Sequence, residues 1–227
     1  MATRALLLMT KPALPGRVKT RLAAALGAET AACLHAAFLA DLAARLRAPA
    51  AWDLVPCWAL EPGETVPAEP PAGRRQRGAD LGERLLDAFA RLPGHELAAA
   101  IGSDLPELGA GTVEAAFAAL ERGADVVLGP ARDGGYYLIA LRPARLRREL
   151  FEAIPWSTER VLSVTRARCR ALGLEVAELE PAEDVDTPDD LERLALRLAG
   201  RRGLCPRTEA LLVELGRLPR REVACAS

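Results

Sequence analysis

The sequence predicts an α/β protein: one three-layer sandwich around a mainly parallel sheet. Three observations carry that expectation. Short apolar runs alternate with longer amphipathic ones almost to the end of the chain, the pattern of strands joined by right-handed crossover helices. The 227 residues are enough for one large domain and do not require two. Half of them are hydrophobic, much of that share alanine and leucine, which is ample for a core covering both faces of a sheet.

The elements follow in order. ALLLM makes Arg4–Met9 a strand, too short for a helix and stopped by Lys11-Pro12. Two helices, Thr20–Leu26 and Glu29–Arg47, flank Gly27. Trp52–Leu60 reads as the next strand, and EPGETVPAEPPAG (61–73) as a Pro/Gly loop. Gly82–Leu92 is helical, Glu96–Ile101 a strand, Thr112–Arg122 a helix, and Asp125–Leu128 and Tyr136–Leu141 strands. Ser157–Leu172, Leu174–Leu179 and Pro188–Leu198 continue as helix, strand, helix. Thr187 caps the last of these, with Pro188 at its first position and acidic residues on its first turn. We expect residues 1–200 to form the domain and 201–227 a further helix with a frayed tail.

Charge and composition exclude several functions. Thirty basic against 31 acidic residues leave a net charge of −1, with no global field for nucleic acid or an anionic membrane. Five cysteines lie scattered without metal-like spacing, which points to reduced thiols and a cytoplasmic setting. No stretch has the ~18 apolar residues needed to span a bilayer, and the N-terminal run is too short for a signal-peptide core. His35 and His95 have no Ser or Cys partner at recognisable spacing, so hydrolase triads and zinc sites are poor fits.

In a parallel sheet, ligands bind beyond the carboxyl ends of the strands, and the informative stretches fall there. In KPALPGRVKTRL, Gly16 permits close backbone approach, and Lys11, Lys19 and Arg21 offer charge-assisted donors for phosphate oxygens beside the start of a helix. The same residues also make a solvated turn whose cations pair with acids elsewhere. In AAAIGSDLPEL, Asp104 sits at a strand's end, where it either holds a divalent cation or makes an Asx turn or cap. In GPARDGGYYLIAL, Asp133-Gly134-Gly135 is explained by a hairpin. It also makes a pocket floor in which Asp133 binds substrate hydroxyls or acts as a base, with Tyr136 beside it. In EDVDTPDDL, capping does not require Asp184 or Asp186, which are free to give a metal a second carboxylate. Gln76 and Arg77 precede a glycine-spaced helix start and are expected to line the site. Trp156, Ser157 and Thr158 mark another, where Ser157 or Thr158 as N-cap is the simple account.

Taken together and in order, KPALPGRVKTRL, QRGADLGERL, GSDLPEL, GPARDGGYYLIAL, IPWST and DVDTPDDL resemble bacterial GT-A-like transferases of the kind associated with arsenosugar biosynthesis and radical-SAM proteins. The match covers roughly residues 4 to 198. The loop after the first strand is similar to that of sugar-phosphate, phospholactate and molybdenum-cofactor nucleotidyltransferases, although their LxGGxSxRM form is missing. GSDLP resembles the GDxP metal-binding stretch, and DVDTPDDL an NxNTPxDL segment with aspartates in place of asparagines.

The resemblance implies a Rossmann-like GT-A fold and a transferase using a nucleotide or nucleotide-sugar donor on a small-molecule acceptor. Lys19 and Arg21 would hold its phosphates, together with Lys11, Gly16 and Gln76. Asp104 would hold Mg²⁺ or Mn²⁺, with Asp186 near the metal or the acceptor. Asp104, Asp133 and Lys19 are the expected catalytic residues; Gly134, Gly135, Tyr136, Trp156, Ser157 and Thr158 line the substrate. Glycosyl and nucleotidyl transfer both remain open, as does a nucleotide-binding regulator without catalysis.

Overall fold

A computed structural model describes residues 3–47, 51–67 and 73–220. The tail at 221–227 and part of the 61–73 loop lie outside the described residues. Among the described residues seven strands form one sheet: β1 (Arg4–Thr10), β2 (Asp53–Trp58), β3 (Arg74–Arg75), β4 (Leu97–Gly102), β5 (Val126–Pro130), β6 (Tyr136–Leu141) and β7 (Val176–Glu178). Their order is β3-β2-β1-β4-β6-β5-β7. All the pairings are parallel except the two made by β6, which runs antiparallel to β4 and β5. The reversal follows from sequence: β5 turns straight into β6 through Asp-Gly-Gly, a hairpin that leaves no room for a crossover helix.

The described residues hold seven α-helices: α1 (Thr20–Leu26), α2 (Ala28–Arg47), α3 (Leu81–Ala90), α4 (Ala110–Glu121), α5 (Val161–Ala171), α6 (Pro188–Ala199) and α7 (Pro206–Glu214). On one face Leu6, Leu8, Ala99 and Ile101 meet α2 and α4 through Leu42, Leu46, Val113 and Phe117. On the other Ala5, Leu7, Ala98 and Ala100 meet α3 and α5 through Leu85, Phe89, Leu162 and Cys169. The alternation along β1 and β4 thus feeds two cores, as a doubly covered strand demands. A third cluster joins α1, α2, α6 and α7 through Leu22, Leu34, Phe38, Leu194 and Leu212.

One departure from the sequence expectations has a physical cause. The helix expected from Ser157 begins at Val161, because Ser157 adopts a left-handed backbone (φ 63°) and Thr158 folds back to donate to Pro155 O at 2.7 Å. Neither residue caps it; Arg160 stands at that position. α1 spans Thr20–Leu26 as expected, and its N-cap, Lys19, lies in the left-handed region (φ 49°). The predicted cap of α6 is present: Thr187 Oγ1 accepts from Asp190 N–H, and Asp190 accepts from the Thr187 N–H in return. Among the described residues no helix is long and apolar enough to cross a membrane, and the four described cysteines are unpaired thiols.

Candidate functional site

The carboxyl ends of β1, β2 and β4, with the turn entering β6, border a cleft of about 770 Å³. Lys11, Lys19, Arg21, Gln76, Asp104, Asp133, Gly135, Tyr136, Trp156, Ser157, Thr158 and Asp186 all line it. Residues spread over 176 positions of sequence therefore meet at one sheet edge. Gly16 lies on the turn just outside, with φ +77° and open space around it, so glycine is needed there for the turn and not for a close packing contact.

Lys19 is the centre of the polar arrangement. Its side chain is 2% exposed. The ammonium pairs with Asp104, donates to Asp186 Oδ1 at 3.0 Å and to Val185 O at 2.7 Å, and sits 5.5 Å from the centroid of the Phe38 ring. Val185 N–H in turn donates to Asp104 O at 3.0 Å, which ties the DVD segment to GSD. Burial works against both charges, but the carboxylates hold the Lys19 pKa above the ordinary lysine value. Lys19 likewise holds Asp104 below the ordinary carboxylate range. With three donors engaged, Lys19 reaches a phosphate oxygen only by exchanging one of these partners.

The other cations divide into two groups. Arg17 is held by Glu61 and Glu64, which fastens the first loop to the loop after β2. Lys11 and Arg21 are exposed, and no carboxylate pairs with either side chain among the described residues. Among the described residues they are the cleft's lysine and arginine side chains without a carboxylate partner. Gln76 lines the cleft but commits its amide N–H groups to Thr10 O (3.2 Å) and Cys57 O (2.7 Å), bracing the ends of β1 and β2.

On the β6 side, Asp133 Oδ1 accepts from Gly135 N–H at 2.9 Å, the Asx turn that shapes the hairpin. Gly134 has φ +90°, and a Cβ there would overlap the backbone of Glu159; its carbonyl accepts from Leu162 N–H at 2.9 Å. The Asp-Gly-Gly turn is thus packed directly against the IPWST loop, which explains why both stretches reach the same cleft. Tyr136 and Trp156 meet edge to face at 6.3 Å.

Sequence reasoning singled out neither Thr10 nor Ser103, and set His35 aside. All three are buried at the back of the cleft. Thr10 donates to Ser103 Oγ at 3.1 Å, and His35 Nε2 lies 3.1 Å from Lys11 O and 3.4 Å from Thr10 Oγ1. Burial lowers the His35 pKa, so the neutral ring donates to Lys11 O from Nε2. Thr10 and Ser103 could have been found as the polar ends of two apolar strands. His35 gives no signal in sequence, because an alanine-rich helix does not reveal which face meets the sheet. Asp184 also lines the cleft; burial first, then the charges of Asp104, Asp133 and Asp186, push its carboxyl up to about 7.

Known proteins resemble this chain in sequence and in fold. A family model described as an uncharacterized protein conserved in bacteria (DUF2064) matches residues 63–158. The phosphoenolpyruvate guanylyltransferase of Roseiflexus sp. (strain RS-1) is 34% identical over 181 residues, 79% of this chain and 80% of that protein. A solved structure from Desulfovibrio desulfuricans G20, classed with the nucleotide-diphospho-sugar transferases, has a TM-score of 0.85 at 32% identity and covers 95% of this chain and 96% of its own. A CMP:2-keto-3-deoxy-manno-octonic acid synthetase solved with CTP covers 88% of this chain and all of its own, with a TM-score of 0.58. At 13% identity that last likeness is one of fold.

Proposed function

Because this chain belongs to the nucleotide-diphospho-sugar transferase superfamily, we propose that it is a nucleotidyltransferase acting on a small-molecule acceptor. It is a transferase working from a nucleotide donor; the nucleotidyl reading is the narrower step. One observation carries it: Lys11 and Arg21, which pair with no carboxylate among the described residues, line one cleft with the Asp104–Asp186 carboxylate pair, a division of charge suited to a triphosphate and its counter-ion. The guanylyltransferase relative favours the same reading.

The residues also fit a divalent cation. Asp104 and Asp186 already converge on a single positive charge, the Lys19 ammonium. Mg²⁺ is commonly held by one or two carboxylates together with substrate phosphates, not by an all-protein cage. Asp104 and Asp186 would hold Mg²⁺ or Mn²⁺, which would supply charge neutralisation at the donor phosphates.

Lys11 and Arg21 bind the β- and γ-phosphates, and Lys19 keeps the carboxylate pair compensated and in place, joining the phosphates by exchange. The acceptor oxygen attacks the α-phosphorus in line. The bond from that phosphorus to the bridging oxygen breaks, pyrophosphate leaves with the electron pair, and Asp133 takes the hydroxyl proton. Positioning and stabilisation of phosphate charge are the catalytic effects required. Gly134, Gly135, Tyr136, Trp156, Ser157 and Thr158 shape the acceptor side.

Glycosyl transfer is the second reading, favoured by the resemblance in the six motifs and by the class of the D. desulfuricans structure. Thermal shift with Mg²⁺ or Mn²⁺ across nucleoside triphosphates and nucleotide sugars separates the two. The expected result is metal-dependent stabilisation by one triphosphate, followed by pyrophosphate release on turnover. Preference for a nucleotide sugar, with release of a nucleoside diphosphate, overturns nucleotidyl transfer. Binding without turnover of any donor supports a regulatory protein instead.

A further inference from the structure

Lysine and arginine together number 30 in this chain, and only two of them are lysines, Lys11 and Lys19. Both line the cleft. The Lys19 ammonium stands where three oxygens converge: Asp104 Oδ1, Asp186 Oδ1 at 3.0 Å and the Val185 carbonyl at 2.7 Å. Two carboxylates and a carbonyl are ligands that a hard divalent cation takes. An ammonium is the side-chain group nearest to such a cation, a compact charge on a flexible four-carbon stem with three donors and no acceptor. A guanidinium spreads its charge over a planar fork instead.

Backbone contacts also hold these oxygens in place. Val185 N–H donates to Asp104 O at 3.0 Å, and Asp186 N–H donates to Asp190 Oδ2 at 3.0 Å beside the capping box of α6. The GSD and DVD segments therefore keep a common frame when the ammonium leaves. The Lys19 side chain is 2% exposed, whereas those of Asp104 and Asp186 are 42% and 44% exposed. The carboxylates are thus open to the cleft on the side away from Lys19.

A divalent cation bonded to either Oδ1 at about 2.1 Å would stand no more than about 5 Å from the ammonium, with no anion between them. The two positive charges therefore compete for the carboxylate pair. Donor phosphates remove the conflict, because their oxygens give the ammonium new acceptors and stand between it and the metal. A ligand that needs a minor state binds more weakly in proportion to that state's population. By reciprocity, nucleotide and metal then strengthen each other's binding by the same factor.

Resting on the nucleotide-donor reading above, we propose that the Lys19 ammonium is a tethered stand-in for the divalent cation. In the nucleotide-free protein it occupies the Asp104–Asp186 pair and keeps the metal off. Donor phosphates draw it away, and the metal takes the carboxylates it leaves. The site loads metal and donor together.

Two measurements on the full chain test this. Electron paramagnetic resonance of Mn²⁺ gives the metal affinity without nucleotide. Lys19→Met is expected to bind Mn²⁺ at least about tenfold more tightly than the wild type, whereas Lys11→Met, which removes an equal charge from the same cleft, should stay within about threefold. An equal gain in both variants, or none in Lys19→Met, overturns the proposal. The second measurement needs no variant. In protein labelled with ¹⁵N-lysine only two side chains can give ammonium signals, and the buried Lys19, with all three donors engaged, is the slowly exchanging one. Its signal should hold still with Mg²⁺ alone and shift when Mg²⁺ and the nucleotide chosen by thermal shift are added together. A signal unchanged in that complex, or one that moves with Mg²⁺ alone, overturns the proposal. Failure of every nucleotide to bind sinks the transferase reading and the release step with it; the Mn²⁺ comparison, made without nucleotide, still judges the stand-in by itself.

Discussion

Lys19 joins two stretches that lie 82 positions apart in the chain, GSD and DVD, by placing one ammonium between Asp104 and Asp186. Removing one partner of a buried ion pair costs about 3–5 kcal/mol. Here both carboxylates are over two-fifths exposed, so water recovers part of that, and Lys19→Met should cost about 1–3 kcal/mol. The double variant Lys19→Met/Asp104→Asn should cost less than the two singles added, by about 1 kcal/mol. Urea unfolding of the four proteins checks it, and strict additivity would show that the pair contributes nothing. Asp184 behaves oppositely. Its carboxyl stands at about 7 in the fold against an ordinary value of 3.8. The folded state therefore binds the extra proton between these values, and stability falls as pH rises through that window. In buffer with a chelator, Asp184→Asn should match the wild type near pH 4 and exceed it by about 1–2 kcal/mol at pH 8. Calorimetry across the range decides; parallel curves would sink the assignment.

The β5–β6 hairpin and α6 show the same logic at the scale of elements. Asp133-Gly134-Gly135 was legible as a tight turn, but its second duty was not. The absence of a side chain at Gly134 lets the turn lie against the Glu159 backbone. Gly134→Ala combines that overlap with a positive φ, and we expect a loss of about 2 kcal/mol or more. Thermal melts measure it, and an unchanged melting temperature would mean that the turn can move away freely. For α6 the signal was local and complete, since Thr187, Pro188 and Asp190 suffice for a capping box. Thr187→Ala should lower stability by about 1 kcal/mol, a denaturant midpoint shift with an unchanged slope.

Across the whole molecule, residues beyond 200 brace the site from behind. Arg45 on α2 donates to Pro106 O and Leu108 O of the GSDLPEL loop and also to Leu204 O, while Cys205 donates to Pro106 O. Asp41 accepts from the Arg207 and Thr208 N–H groups at the start of α7. Leu212 and Leu218 complete the third cluster. Cutting the chain after Gly200 uncovers Phe38 and Leu34 and should cost several kcal/mol, on the order of the loss of two buried leucines and their network. Urea unfolding and near-ultraviolet circular dichroism of the shortened chain would show it. Retention of the full transition would mean that the segment is an appendage.

The sequence by itself determined the alternation of strands and helices, the hairpin, the α6 cap and the strand-end stretches that reach the cleft. These depend on periodicity, turn chemistry and the parallel-sheet rule, which act within a few residues. Only the tertiary structure decided which cations are free. Lys11, Lys19 and Arg21 look alike along the chain, yet Lys19 is enclosed by carboxylates from two distant loops, while Lys11 and Arg21 line the cleft with no carboxylate partner among the described residues. Burial of His35 behind Thr10 is likewise a product of packing between β1, β4 and α2. Charge compensation and cavity shape depend on neighbours brought together by the fold, and spacing along one chain does not encode them.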